Sequence, residues 1–189
     1  MHFDPKSYAP AVAGLLDRAG LSELGPGTPD ESRRAALAAL RLESLVEPDR
    51  RADRQMALAC LAGLWLAHDF LDESHRISQD LETSTGSFWH GIMHRREGDF
   101  ENAKYWFRRV RQHPIFDDLR REAARMAREA GSISEAAYLA DQPEWDPLKF
   151  VDLCRRAIDG PQDLRTLCMQ IQKREWELLF DDCYEKAKG

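Results

Sequence analysis

The chain has 189 residues, is 43% hydrophobic, and carries a formal charge of -6 with a mean hydropathy of -0.58. That is enough chain and enough apolar side chain for one domain with its own core, without help from metal or disulfides. The acidic balance argues against general nucleic-acid binding, which needs a concentrated basic face, and the longest apolar stretch, 56–67, is too short and too interrupted to span a membrane.

Apolar residues recur at spacings of three and four almost throughout, and no run alternates like a strand, so the expected class is all-α. In chain order, 8–19 reads as a short first helix and 25–28 as a loop. Thr28-Pro29-Asp30-Glu31 reads as an N-cap, a proline at the first helical position and a glutamate three residues after the cap. Leu37, Leu40 and Leu45 form the apolar stripe of the helix that follows, and Pro48 breaks it. Further helices are expected over 50–67 and 71–81, then after a loop at 83–86 over 87–96 and 100–111, split by Gly98-Asp99. Another covers 117–130 and ends at Gly131 in a left-handed cap. Ser132-Ile133-Ser134-Glu135 reads as a capping box for a short helix to Ala140. Pro143 and Pro147 bracket a turn, a helix runs to Ile158, and a long last helix follows Gly160-Pro161 to about Lys186. The expected organisation is one domain over 1–189: an N-terminal helix and loop (1–28), helical hairpins (29–143) and C-terminal helices (144–189).

No basic-then-apolar leader pattern occupies the first 25 residues, and the four cysteines, Cys60, Cys154, Cys168 and Cys183, form no CxxC pair. They read as reduced core thiols, and a cytoplasmic setting is the expectation.

An internal repeat is the most informative feature. In GDFENAKYWFRRV, the residues Gly98, Phe100, Ala103, Phe107 and Val110 fall as turn glycine, aromatic, small residue, aromatic and apolar residue, and Gly91 supplies a small residue in the preceding helix. Gly131, Ile133 and Ala136 repeat the pattern 33 residues later, with Ala124 as the small residue. Asp69, Leu71 and Ser74, with Ala62, give a weaker copy 29 residues earlier. Small residues at these points let helix axes approach to roughly 8–10 Å. The pattern resembles the tetratricopeptide repeat over about residues 50–143. That resemblance implies a right-handed stack of tandem antiparallel helical hairpins, with the long C-terminal helix, its seam formed by Leu164, Cys168, Ile171 and Leu179, as a cap. The central block, 68–110, also resembles a family of uncharacterised bacterial and fungal proteins, a likeness that implies no chemistry.

Three groups of residues are candidates for function. Four of the six histidines, His68, His75, His90 and His94, lie within 27 residues, and His90 and His94 stand four apart on one helix face, the spacing of a chelating pair. With His68 and a carboxylate from Asp69, Asp72, Glu73 or Glu97 they form a candidate divalent-metal or acid/base site. The competing reading is polar core packing with no metal and no cofactor, since HExxH is absent. Trp89 and Trp106 are candidate exposed anchors among neighbouring aromatics. Counted by segment, 1–50, 51–94 and 129–189 are net acidic, while 95–128 holds 10 basic and 6 acidic residues. Within it, Arg95, Arg96 and Arg109 are candidates to clamp an anionic group, because guanidinium forks match carboxylate and phosphate, and solvated pairing with neighbouring glutamates is the alternative.

No phosphate-binding glycine loop, nucleophile elbow or zinc-ribbon spacing occurs. The leading expectation is a binding or scaffold module that receives a protein, a peptide or a small anionic ligand in a helical groove. The second is a small metal-dependent or acid/base enzyme using His68, His90, His94 and Glu97, with Asp69 beside them. Nothing in the pattern sets an oligomeric state.

Overall fold

A computed structural model describes residues 3–16, 22–45 and 53–188, and of Glu43 and Ser44 the backbone alone. The described residues contain ten α-helices, two 3-10 turns and no strand, so the all-α class holds among them. The helices are α1 (Pro10–Leu16), α2 (Glu31–Ala39), α3 (Leu42–Leu45), α4 (Arg54–Ala67), α5 (Leu71–Ser78), α6 (Ser84–Glu97), α7 (Phe100–Val110), α8 (Phe116–Glu129), α9 (Pro147–Ile158) and α10 (Gln162–Ala187). The 3-10 turns are Pro5–Ser7 and Ser134–Ala140. No described helix is long and apolar enough to cross a membrane.

Several boundaries differ from expectation, each for a local reason. The cap of α2 is Asp30 rather than Thr28, because the Asp30 carboxylate accepts from the Ser32 amide and Pro29 stays outside the helix. Asp53 caps α4 by accepting from the amides of Gln55 and Met56, so the helix begins at Arg54; the expected break at Pro48 lies outside the described residues. Thr83 accepts from the Gly86 amide, which turns most of the expected loop at 83–86 into the first turn of α6. At Ser132–Glu135 there is no capping box: Ser134 donates instead to the Glu135 carboxylate, and a 3-10 turn follows.

Helices α4 and α5 pack as one hairpin and α6 and α7 as the next, with α5 against α6 and α4 against α6. Gly98, at φ 92°, provides the left-handed step between α6 and α7. The crossing of those helices explains Gly91, where a Cβ would stand 3.0 Å from the Phe107 ring; Ala103 and Phe107 are buried at the same interface. Beyond this pair, α7 packs on α9, and α8 packs on the 3-10 turn Ser134–Ala140 and on α10. The long C-terminal helix α10 also lies along α4 and α9, so it covers a flank of the hairpins. A single connected core runs through all these elements, and the four cysteines lie in it as free thiols.

Candidate functional site

Helix α6 is the centre of the molecule, and almost all of it is buried, which is why its polar residues sort by side rather than by exposure. On one side, His90 and His94 lie one turn apart with ring centroids separated by 4.7 Å. Across from them, α5 contributes His75, whose ring lies 4.6 Å from that of His90 and 5.3 Å from that of His94. One ring nitrogen from each of the three falls within 4.8 Å of the other two.

Hydrogen bonds orient two of the rings. The Ser78 hydroxyl lies 3.3 Å from the His75 carbonyl, to which it donates, and 3.2 Å from His90 Nδ1. With its own proton directed to the carbonyl, the hydroxyl accepts from His90 Nδ1–H, and Nε2 carries the ring's lone pair. Burial, then the neighbouring His94 and His75, push the His90 pKa down to about 3, so the ring is neutral at pH 7. His94 Nδ1 is 2.8 Å from a Glu97 carboxylate oxygen, which fixes the proton on Nδ1. The side-chain amide nitrogen of Asn102, on α7, donates to His94 Nε2 at 3.1 Å. The His75 ring is half-buried and makes ring contacts but no hydrogen bond among the described residues.

Helix α7 closes the site with residues at spacings of four and three: Asn102, Trp106 and Arg109. The Trp106 ring lies on His90, centroids 4.0 Å apart at 31°, and the Arg109 guanidinium lies 5.2 Å from the Trp106 centroid. Arg109 is exposed and Trp106 half-buried.

His90, His94 and Glu97 thus meet as expected, and Trp106 and Arg109 border them. The other expected members do not join. The Nε2 of His68 is 2.8 Å from the Leu15 carbonyl and its Nδ1 is 3.7 Å from Asp30, which makes it a tie to the N-terminal segments. Asp69 pairs with Arg96 at 2.6 Å and sits at a positive φ of 64°. Arg96 also donates to the carbonyls of Leu66, Gly25 and Pro26, and it is 2% exposed. Arg95 is 0% exposed, paired with Glu175 at 2.5 Å and stacked on Phe150. The expected clamp therefore loses Arg95 and Arg96: both guanidiniums are consumed in holding helices and loops together. Trp89 is buried rather than an exposed anchor, its ring packed where Gly63 leaves room.

Sequence spacing does not single out His75, Ser78 and Asn102 as site residues, although His75 belongs to the histidine concentration. The repeat alignment directs attention to first helices of neighbouring hairpins, and so to His68. The contact that forms is between the second helix of one hairpin and the first of the next. The signal for it was on α5 itself, where His75 lies on the same face as Leu71 and Ser78 at spacings of four and three.

Comparison of the chain with protein-family models, with curated proteins and with solved structures finds no match.

Proposed function

We propose that the protein binds a divalent transition-metal ion, zinc foremost, through His75, His90 and His94, and keeps a fourth position open for chemistry. The observation that carries this is the convergence of three ring nitrogens within 4.8 Å of one another. Three neutral nitrogen donors suit zinc and its neighbours, and three protein ligands with a vacant fourth position are the pattern of catalytic rather than structural zinc. The Glu97 carboxylate on His94 and the Ser78 hydroxyl on His90 supply the outer hydrogen bonds that orient metal-binding imidazoles.

Zinc–nitrogen bonds of about 2.0–2.1 Å in a tetrahedron place ligand nitrogens roughly 3.3 Å apart, so loading draws the rings together. The half-buried His75 ring, with no hydrogen bond to give up, is the one free to move. Asn102 would have to release His94 Nε2 before that nitrogen could bind an ion. Held by these three histidines, such an ion would supply Lewis-acid chemistry, polarising a carbonyl or phosphoryl oxygen or lowering the pKa of bound water to about 7. The alternative of a peptide-binding scaffold keeps only Arg109 and Trp106 of its expected anchors at the surface.

Protein purified without a histidine tag, reconstituted with zinc and desalted, should carry about one zinc per chain. The His90→Ala, His94→Ala double variant should carry none while keeping its helical circular dichroism. Zinc absent from the reconstituted wild type, or equal in wild type and variant, would contradict the proposal.

A further inference from the structure

The basic segment divides into paired and unpaired cations. Lys104 meets Asp152 at 2.6 Å, Arg125 meets Glu129 at 2.6 Å, and Arg121 and Arg128 pair with Asp118 and Asp141. At the C-terminal end of α7, by contrast, Arg108, Arg109 and Arg111 have no ion pair among the described residues, and all three are exposed. A favourable interaction with the helix dipole accounts for cations in a last turn. It does not account for the placement of Arg109, whose guanidinium is held against Trp106, the ring that itself covers His90. Stacking on an aromatic face restricts the fork while leaving its N–H groups free to bond.

The charge of the centre points the same way. Three imidazoles bring no charge, and Glu97, attached through His94, brings one negative charge. A divalent ion therefore leaves the site net positive, with an open position and an unpaired guanidinium one ring away. Opposite charge in that position is favoured most where burial reduces solvent screening, and His90 and His94 are 2% and 6% exposed.

We infer that the site takes a small molecule bearing an oxyanion, a carboxylate or a phosphate, and that Arg109 is the residue that pairs with it. This rests on the metal reading above and adds the class of ligand. Arg108 and Arg111 extend the positive field but lack the aromatic contact, so Arg109 carries the specific role.

The test uses the full chain loaded with cobalt(II), whose visible absorption reports a change in its ligands. Titration with sodium phosphate and with sodium acetate at constant ionic strength should give a saturable spectral change, and the anion giving the tighter response names the preferred group. In Arg109→Ala the midpoint should rise at least tenfold with the cobalt-to-protein ratio unchanged, and Arg109→Lys, which keeps the charge but not the planar fork, should fall between. A midpoint equal in wild type and Arg109→Ala, or no response to either anion in cobalt-loaded wild type, would overturn the inference and leave the metal reading standing. Failure of the wild type to take up cobalt would overturn both.

Discussion

Helix α6 buries two sets of polar side chains, and they differ in what their surroundings leave open. Arg95 and Arg96 are surrounded by partners that answer their charge and geometry: Glu175 and Gln172 for one, Asp69 and three backbone carbonyls for the other. On another side of the same helix, His90 is held through Nδ1 by Ser78, His94 takes Glu97 on Nδ1 and Asn102 on Nε2, and one ring nitrogen of each lies within 4.8 Å of one of His75. Buried polar groups are normally satisfied, and apart from the Arg95 Nε, which has no partner among the described residues, these contacts account for the arginines by structure alone. Three imidazoles facing one another are not so accounted for, and the metal proposal rests on that difference.

His113 sharpens the contrast within a single residue type. It is also buried, but its Nε2 faces the Thr85 hydroxyl at 3.2 Å, its Nδ1 faces the Ile115 amide at 3.5 Å, and its ring is packed edge-on against Phe88. Its neighbours occupy both nitrogens, as they do those of His94, so the contrast with the cluster rests on His90, held through Nδ1 alone, and on His75.

The largest expected effect follows from the arginine side. Arg95→Ala removes a cation with no exposed surface and leaves Glu175 buried without its counter-ion, a change that costs about 3–5 kcal/mol. Urea denaturation should show a loss of that size, and an unchanged midpoint would mean that the Arg95–Glu175 pair is not part of the folded protein in solution.

A smaller effect is expected from His113. Burial, with Lys186 adding to it and Asp182 opposing, lowers its pKa from 6.5 to about 4. Between those values the unfolded chain holds the proton that the folded one refuses, so stability is full above pH 6.5 and falls as pH drops toward 4. One proton limits the slope to about 1.4 kcal/mol per pH unit. His113→Gln should remove that share of the acid sensitivity in urea midpoints measured from pH 7.5 to 4; parallel curves for wild type and variant would contradict the assignment.

The smallest stability effect belongs to the residue with the largest expected functional one. His75 is half-buried and has no hydrogen bond to lose among the described residues, so His75→Ala should shift metal-free stability by less than about 1 kcal/mol. Its zinc affinity should fall by well over about 100-fold, since even outer-sphere partners are worth about 10–100-fold. Loss of fold without metal, or retention of zinc binding, would place His75 with the packing histidines.

These outcomes also mark where sequence reasoning reached and where it stopped. The α6–α7 crossing was legible because Gly91, Ala103 and Phe107 obey a local steric rule that spacing records. The burial of Arg95 and Arg96 was not, because their partners come from α10 and from the Gly25–Pro26 turn, some 70–80 residues away, and charge in a helix ordinarily signals exposure. Half of the candidate site, His90, His94 and Glu97, could be read from helical spacing within α6. The rest depended on which face of α5 meets α6, and a shift of attention from one end of that hairpin to its middle exchanges His68 for His75. The two misplaced caps have different causes: Asp30, two residues beyond Thr28, takes the Ser32 amide, whereas past Ser132 the Ser134 hydroxyl is spent on Glu135 and no side chain caps the turn.

X-ray absorption at the zinc edge of the reconstituted protein tests the central claim most directly, because it reads the ligand shell without reference to any substrate. The account predicts three nitrogen scatterers at about 2.0–2.1 Å with the outer-shell pattern of imidazole, and one further light ligand. A shell made of oxygen alone, or a sulfur at about 2.3 Å, would place the ion elsewhere and contradict the assignment of His75, His90 and His94 as its ligands.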